Sequence, residues 1–228
     1  MNKLYLKIRQ ALAGKTSAGA RAALAAVAIA TAATARAGDT WTDITQHYVT
    51  NPGFDSNSNA GWTVTSDAGS KAVRCECMEF WNGTFDIHQT LKGLPAGKYR
   101  LSVQAFYRTQ DNSKALREHQ QGTESITAVM YAGATRQKLA SLFSFHFTSE
   151  VYGCWSPNGT DYYPNTMEGS RTAFDRGQYW NTMEFTATGG DVAIGLANDT
   201  YIYSNWCIFD NFRLERWGEP VKATEVSV

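Results

Sequence analysis

The 228-residue sequence is 43% hydrophobic and 13% aromatic but only 18% charged, enough apolar chain for one domain with a real core plus appendages. Its 21 basic and 21 acidic residues cancel, yet six of the bases (Lys3, Lys7, Arg9, Lys15, Arg21, Arg36) fall in the first 37 residues, which hold no acid. The rest therefore has 15 bases against 21 acids, near −6, which argues against a phosphate-tracking nucleic-acid surface and against attraction to an anionic membrane.

Residues 1–21 are basic and polar, residues 22–35 (AALAAVAIATAATA) are small and apolar, and Ala35-Arg36-Ala37 precedes Gly38-Asp39. This is the layout of a secretory signal peptide, residues 1–37, cut after Ala37. The apolar run is too short and alanine-rich to span a bilayer stably, and no later segment is long and apolar enough to do so. The expected mature protein is secreted, periplasmic or at the cell surface, without membrane insertion.

Beyond residue 38 the dominant period is two. Phe85, Ile87, Gln89 and Leu91 alternate with Asp86, His88 and Thr90. After the turn residues Leu94-Pro95-Ala96-Gly97, the apolar set Tyr99, Leu101, Val103, Ala105 and Tyr107 alternates with a second set ending in Phe106 and Arg108. The two runs predict half-buried strands joined as an antiparallel hairpin. Further strands are expected over 125–131, 138–147, 181–188, 192–197 and 206–217, with short helices over 113–120 and 166–176. Short strands with Gly-rich turns predict an all-β, antiparallel β-sandwich over residues 38–218. The run 153–178, dense in Gly, Pro, Asn and Tyr, breaks the rhythm and reads as a long, functional connection. Residues 219–228 read as a linker or the start of a following segment.

Four cysteines remain: Cys75, Cys77, Cys154 and Cys207. In an oxidising compartment an even count favours disulfides. Cys75 and Cys77, two apart on one face of an extended strand, are badly placed to bond each other. Each is free to pair with Cys154 or Cys207, or all four stay reduced. The four histidines neither cluster with the cysteines nor fall at i, i+4, which argues against zinc.

Three stretches occur in an order and spacing that carry a resemblance. They are Asn51-Pro52-Gly53-Phe54-Asp55 with Gly61-Trp62; Glu79-Phe80-Trp81-Asn82 through Phe85–Thr90 to Leu94–Tyr99; and Gly177–Asn181 with Trp206–Leu214. Over nearly all of 48–217 the chain resembles the galactose-binding-like jelly-roll module of secreted Bacteroidetes-type polysaccharide-handling proteins. The resemblance implies a two-sheet jelly roll with the segment near Asn51–Phe54 beside the last strand. It also implies a structural calcium held by an early acid, backbone carbonyls and an acid of the last strand. Asp55 and Asp210 match those positions, and calcium prefers such hard oxygen ligands. In the plainer reading Asp55 caps a turn and Asp210 bonds backbone.

A sugar ring offers an apolar C–H face and a rim of hydroxyls. Binding it takes an exposed aromatic ring plus planar polar groups that satisfy the hydroxyls. The candidates are Trp81 beside Glu79 and Asn82, Arg108 at a strand end, Trp155 and Tyr163 in the long connection, and Tyr179 and Trp180 before a strand. Each has a structural alternative: a core ring, or for Arg108 an ion pair with Glu79. No acid pair, Gly-x-Ser-x-Gly elbow or Cys/His arrangement singles out catalysis. The expected function is a non-catalytic carbohydrate-binding module whose partner is a poly- or oligosaccharide, alone or within a larger surface protein. The alternatives are an adhesion or spacer domain that contacts protein, and a small glycan-active enzyme.

Overall fold

The computed structural model describes residues 40–218. The expected signal peptide and the C-terminal linker lie outside the described residues. The strands are β1 (Trp41–Asp43), β2 (Thr63–Ser66), β3 (Ser70–Arg74), β4 (Cys77–Trp81), β5 (Phe85–Leu94), β6 (Gly97–Arg108), β7 (Val129–Ala132), β8 (Thr135–Lys138), β9 (Ala140–Ser141), β10 (Cys154–Trp155), β11 (Tyr163–Pro164), β12 (Trp180–Ala187), β13 (Gly190–Asn198) and β14 (Trp206–Trp217). The helices are α1 (Thr45–Tyr48), α2 (Asn112–Gln121) and α3 (Met167–Asp175).

Two sheets face each other as an antiparallel β-sandwich. The larger runs β12-β6-β14-β4-β3, with β1 added beside β14 and β9 beside β6; the smaller runs β2-β5-β13-β7-β8. Only the two-residue contact of β9 with β6 is parallel among the described pairings. The inward set of β6 (Tyr99, Leu101, Val103, Ala105, Tyr107) meets Ile87, Leu91 and Leu94 of β5 and Ile194 and Leu196 of β13 in the main core. The inward alternation follows the sequence, but these strands are not simply half-buried: β6 from Leu101 to Arg108 and β14 from Trp206 to Asp210 are buried on both faces.

The expected β5–β6 hairpin does not form. β5 pairs with β13 and β2, whereas β6 pairs with β14 and β12, so the turn at 94–97 carries the chain from one sheet to the other. Tyr99 Oη donates to the Pro95 carbonyl at 2.8 Å and pins that crossing. β12 and β13, joined at Gly189-Gly190, cross in the same way. Inward residues on facing strands of one sandwich show the same period as those of a hairpin, so the pattern alone does not separate the two.

Two further expectations change. Cys75 is not in a strand: with Glu76 it forms the left-handed turn (φ 54° and 52°) of the β3–β4 hairpin. The strand expected over 138–147 shrinks to β9 followed by a 3₁₀ turn, Leu142–Ser144.

The long connection is a packed layer. With α2, α3 and the 3₁₀ turn it lies on the outer face of the larger sheet and encloses a second core: Phe106, Trp206, Ile208 and Cys77 from the sheet; Leu142, Phe143, Phe147, Tyr163, Met167, Phe174 and Tyr179 from the layer. The layer is fixed where Gly153 meets α3, because a Cβ on Gly169 would overlap the Gly153 carbonyl. Both helices are capped by side chains, Asp111 accepting from Lys114 N and Thr166 from Gly169 N.

Candidate functional site

The second core divides the outer face of the larger sheet. One half, around Phe106 and Ile208, is covered; the other, built from β12, β6, β14 and β1, is open. The division lies at a bulge in β14, where the register with β6 shifts between Asp210 and Arg213 and Asn211 adopts φ 56°. The bulge sends the Asn211 amide to Gln104 Oε1 at 2.8 Å, while Phe212 N bonds the Pro52 carbonyl at 2.9 Å. The segment around Pro52 therefore docks on the last strand without being a strand itself.

Trp180 opens β12 on this face, opposite Gln104 of β6, and its side chain is 45% exposed. It borders two depressions. The first, about 520 Å³, is lined by Asp43, Gln46, His47, Asp55, Asn211 and Arg213 along with Trp180; the second, about 230 Å³, by Arg100, Ser102, Thr182, Arg213 and Glu215 along with Trp180. Trp180 and Arg213 belong to both and join them into one groove.

The groove's charges are mutually neutralised. Arg100 donates to Glu215 through Nε and Nη2 at 2.7 and 2.8 Å, a bidentate pair that shelters the Glu215 side chain and raises the Arg100 pKa. Arg213 reaches Asp43 Oδ2 at 3.0 Å and Glu215 Oε1 at 3.1 Å. Partial burial pushes the Asp43 carboxyl up, but hydrogen bonds from Thr45 and the charge of Arg213 outweigh this and hold it below the usual range. Planar donors and acceptors are thus held in place around an exposed ring, an arrangement that matches the face and rim of a sugar.

The other sequence-predicted residues lie elsewhere. Trp81, 40% exposed, stands at the end of β4 opposite Trp206, at the far end of the sheet from the open half. Asn82 next to it is structural: its Oδ1 accepts from Ser204 N at 2.7 Å and from Tyr201 Oη at 3.2 Å. The loop so held presents Tyr201 and Tyr203 to solvent. Glu79 accepts from Trp206 Nε1 at 2.8 Å. Arg108 does not emerge at an edge: it is buried, stacks on Trp206 at 5.1 Å, and bonds Asn112 and the Ser204 carbonyl. Its Nε has no partner and burial lowers its pKa to about 10. The alternative role, an ion pair with Glu79, is not formed among the described residues; indole, amide and carbonyl groups take its place.

Tyr163 and Tyr179 are sealed in the second core, 7% and 6% exposed, and Trp155 packs half-buried against it. Tyr179 Oη donates to the Leu142 and Phe145 carbonyls at 2.7 and 3.1 Å. The two tyrosine rings hold the layer down and offer no open face to a ligand, whereas Trp155 stays partly exposed at its edge. All four cysteines are free thiols: Cys207 lies in the main core, Cys77 in the second, and Cys75 and Cys154 at the edge of the second.

Asp55 and Asp210 do approach each other. Gly53 is flanked by Asp55 Oδ1, Asn211 Oδ1 and Asp210 Oδ1, at 3.3, 3.6 and 3.8 Å from where a Cβ would stand. Asp210 is fully buried, and burial pushes its carboxyl up to about 7. Its nearest cation, Arg171 at 3.5 Å, is shared with Glu76 and Asp175. Among the described residues no three His, Cys, Asp or Glu side chains converge on a metal position, so an ion here would rest on two carboxylates, an amide oxygen and backbone.

Among the groove residues missed in sequence are the ion-paired Asp43, Arg100, Arg213 and Glu215. Their signal was present as charged residues in the outward register of strands; what singles them out is the bulge and the bare half-sheet, which are tertiary.

No protein-family model matches the chain, and no curated protein matches it in sequence. Among solved structures it is similar to TmCBM61 in complex with beta-1,4-galactotriose (16% identity, 74% of this chain and 97% of that one, TM-score 0.38). It is similar also to a CBM4 structure (12% identity, 74% and 99%, TM-score 0.36). A third is an arabinose-bound α-L-arabinofuranosidase, MgGH51, at 12% identity and TM-score 0.33, where the match covers 75% of this chain and 26% of the enzyme. At such scores and identities none of the three carries a function to this chain.

Proposed function

We propose that the protein is an exported, non-catalytic carbohydrate-binding module that takes a glycan into the groove around Trp180. The observation that carries this is the Trp180 ring, 45% exposed at the junction of two depressions whose polar walls are set by ion pairs. Stacking on the indole buries the C–H face of a sugar, while Asp43, Arg213 and Gln46 offer acceptors and donors to its hydroxyls. A binding rather than a catalytic role is supported by the pairing of the groove's carboxylates: Asp43 is engaged by Arg213, and Glu215 by Arg100 and Arg213.

The test is a glycan array probed with the mature chain and with Trp180→Ala. At least one glycan class should bind, and the variant should lose it tenfold or more with an unchanged melting curve. An array with no binder, or equal binding by the variant, overturns the reading.

Calcium in a structural role belongs to the same proposal. Asp55, Asp210 and Asn211 would supply its side-chain oxygens, and the ion would neutralise a buried carboxylate. Millimolar calcium should raise the melting temperature of the native chain and leave Asp210→Asn unmoved; no rise in the native chain refutes the site.

A further inference from the structure

Resting on that reading of the Trp180 groove, we infer that its ligand is an extended, uncharged glycan chain that runs along the sheet from Trp180 to a second aromatic platform, Trp217 braced by Trp41. Trp41 and Trp217 pack edge to face at 5.2 Å where β1 joins the end of β14, and Trp217 is 39% exposed. Lys98 Nζ lies 5.6 and 5.9 Å from the two ring centroids, and the Arg100 guanidinium covers Trp41 at 4.6 Å. The pair therefore sits at the level of Lys98 on β6, whereas Trp180 sits opposite Gln104. Six residues of strand separate the two levels, about 20 Å at the usual rise. That is more than one sugar ring or a disaccharide spans.

The outward side chains between the platforms are polar. From Trp180 the path passes Ser102 and Thr182, whose hydroxyls bond each other at 2.9 Å, then Arg100 and Glu215, and reaches Lys98. Each cation along it is already matched: Arg100 by Glu215, Arg213 by Asp43 and Glu215, and Lys98 by Glu184 at 2.6 Å. Along the path three lysine or arginine charges thus meet three carboxylates. A uronate or sulfate ester would have to break one of these pairs to find a counter-charge. Neutral hydroxyls lose nothing, because paired carboxylates and guanidinium groups keep lone pairs and N–H groups free for them.

The test is calorimetry with an oligosaccharide ladder of the glycan that binds, and with uronic-acid or sulfated polysaccharides of matched linkage. Affinity should climb at least tenfold from disaccharide to hexasaccharide and be at least tenfold weaker for the acidic counterparts. Trp217→Ala should erase the gain with length while leaving disaccharide affinity unchanged, and Trp180→Ala should abolish both. A plateau at the disaccharide, a preference for acidic chains, or a Trp217→Ala variant that keeps the gain overturns this inference while the Trp180 site stands. Binding indifferent to Trp180→Ala overturns the underlying reading instead. The ladder on the native chain needs no variant, so misfolding of Trp217→Ala cannot mask the outcome.

Discussion

Arg108 lays its guanidinium over the ring of Trp206, 5.1 Å from the centroid, and among the described residues no carboxylate bonds it. Its place is held by the indole face, by the Asn112 and Asn165 side chains and by the Ser204 carbonyl, so one side chain ties β6, α2, the second-core layer and the loop before β14 together. Only a planar fork spans those directions while stacking. Arg108→Lys should therefore destabilise the fold by about 1–3 kcal/mol, read from the midpoint of a urea unfolding curve.

Asp43 predicts a pH dependence. Its carboxyl is held below the ordinary value in the folded protein, so the stability it adds is fully present above the unfolded-state pKa near 4 and disappears as pH falls through the lower folded value. The side chain is half exposed, so the effect is modest. Melting curves between pH 6 and pH 2.5 should show a decline that is shallower in Asp43→Asn. The same variant unties Arg213 and should weaken glycan binding at neutral pH.

Gly169 marks the closest approach of α3 to the layer. A Cβ there would overlap the Gly153 carbonyl and crowd Cys154 Sγ at 3.2 Å, and both sides of the contact are backbone or buried. Gly169→Ala should cost about 1–3 kcal/mol by overpacking. The damage should be local: limited proteolysis should cut within 150–178 while strands β5 and β13 stay protected in hydrogen exchange.

The thiols should be slow. Burial raises the pKa of Cys77 and Cys207, places Cys154 at about 11, and with Glu168 alongside raises Cys75. A thiolate-dependent reagent such as DTNB at pH 8 should label the native protein slowly, at Cys75 and Cys154 before the other two, and all four at once in denaturant. Rapid labelling of Cys207 in the native state would contradict its place in the main core.

Much of the fold was legible before any coordinates. The alternation over 97–108 marks Tyr99 through Tyr107 as inward, α2 and α3 lie within a residue or two of the expected helices, and β12 begins one residue early, at Trp180. Trp180 itself stood among the candidate sugar platforms. Tyr163, Tyr179 and Arg108 show where sequence runs out. A polar, Gly- and Pro-rich run such as 153–178 gives little sign of a core, yet its Tyr163, Met167 and Phe174 join Leu142, Phe143, Phe147 and Tyr179 in closing a second core over Phe106 and Ile208.

The sequence by itself determined which side chains of each strand share a face, because side-chain direction alternates residue by residue whatever the strand's partners. It also marked the turn residues Leu94–Gly97, whose preference depends on near neighbours. Only the tertiary structure decided that β5 and β6 belong to different sheets, and that one half of an outer face is roofed while the other is bare. Those outcomes depend on contacts between segments a hundred residues apart. The exposure of Trp180 and the burial of Tyr179, adjacent in the chain, follow from which remote residues cover them.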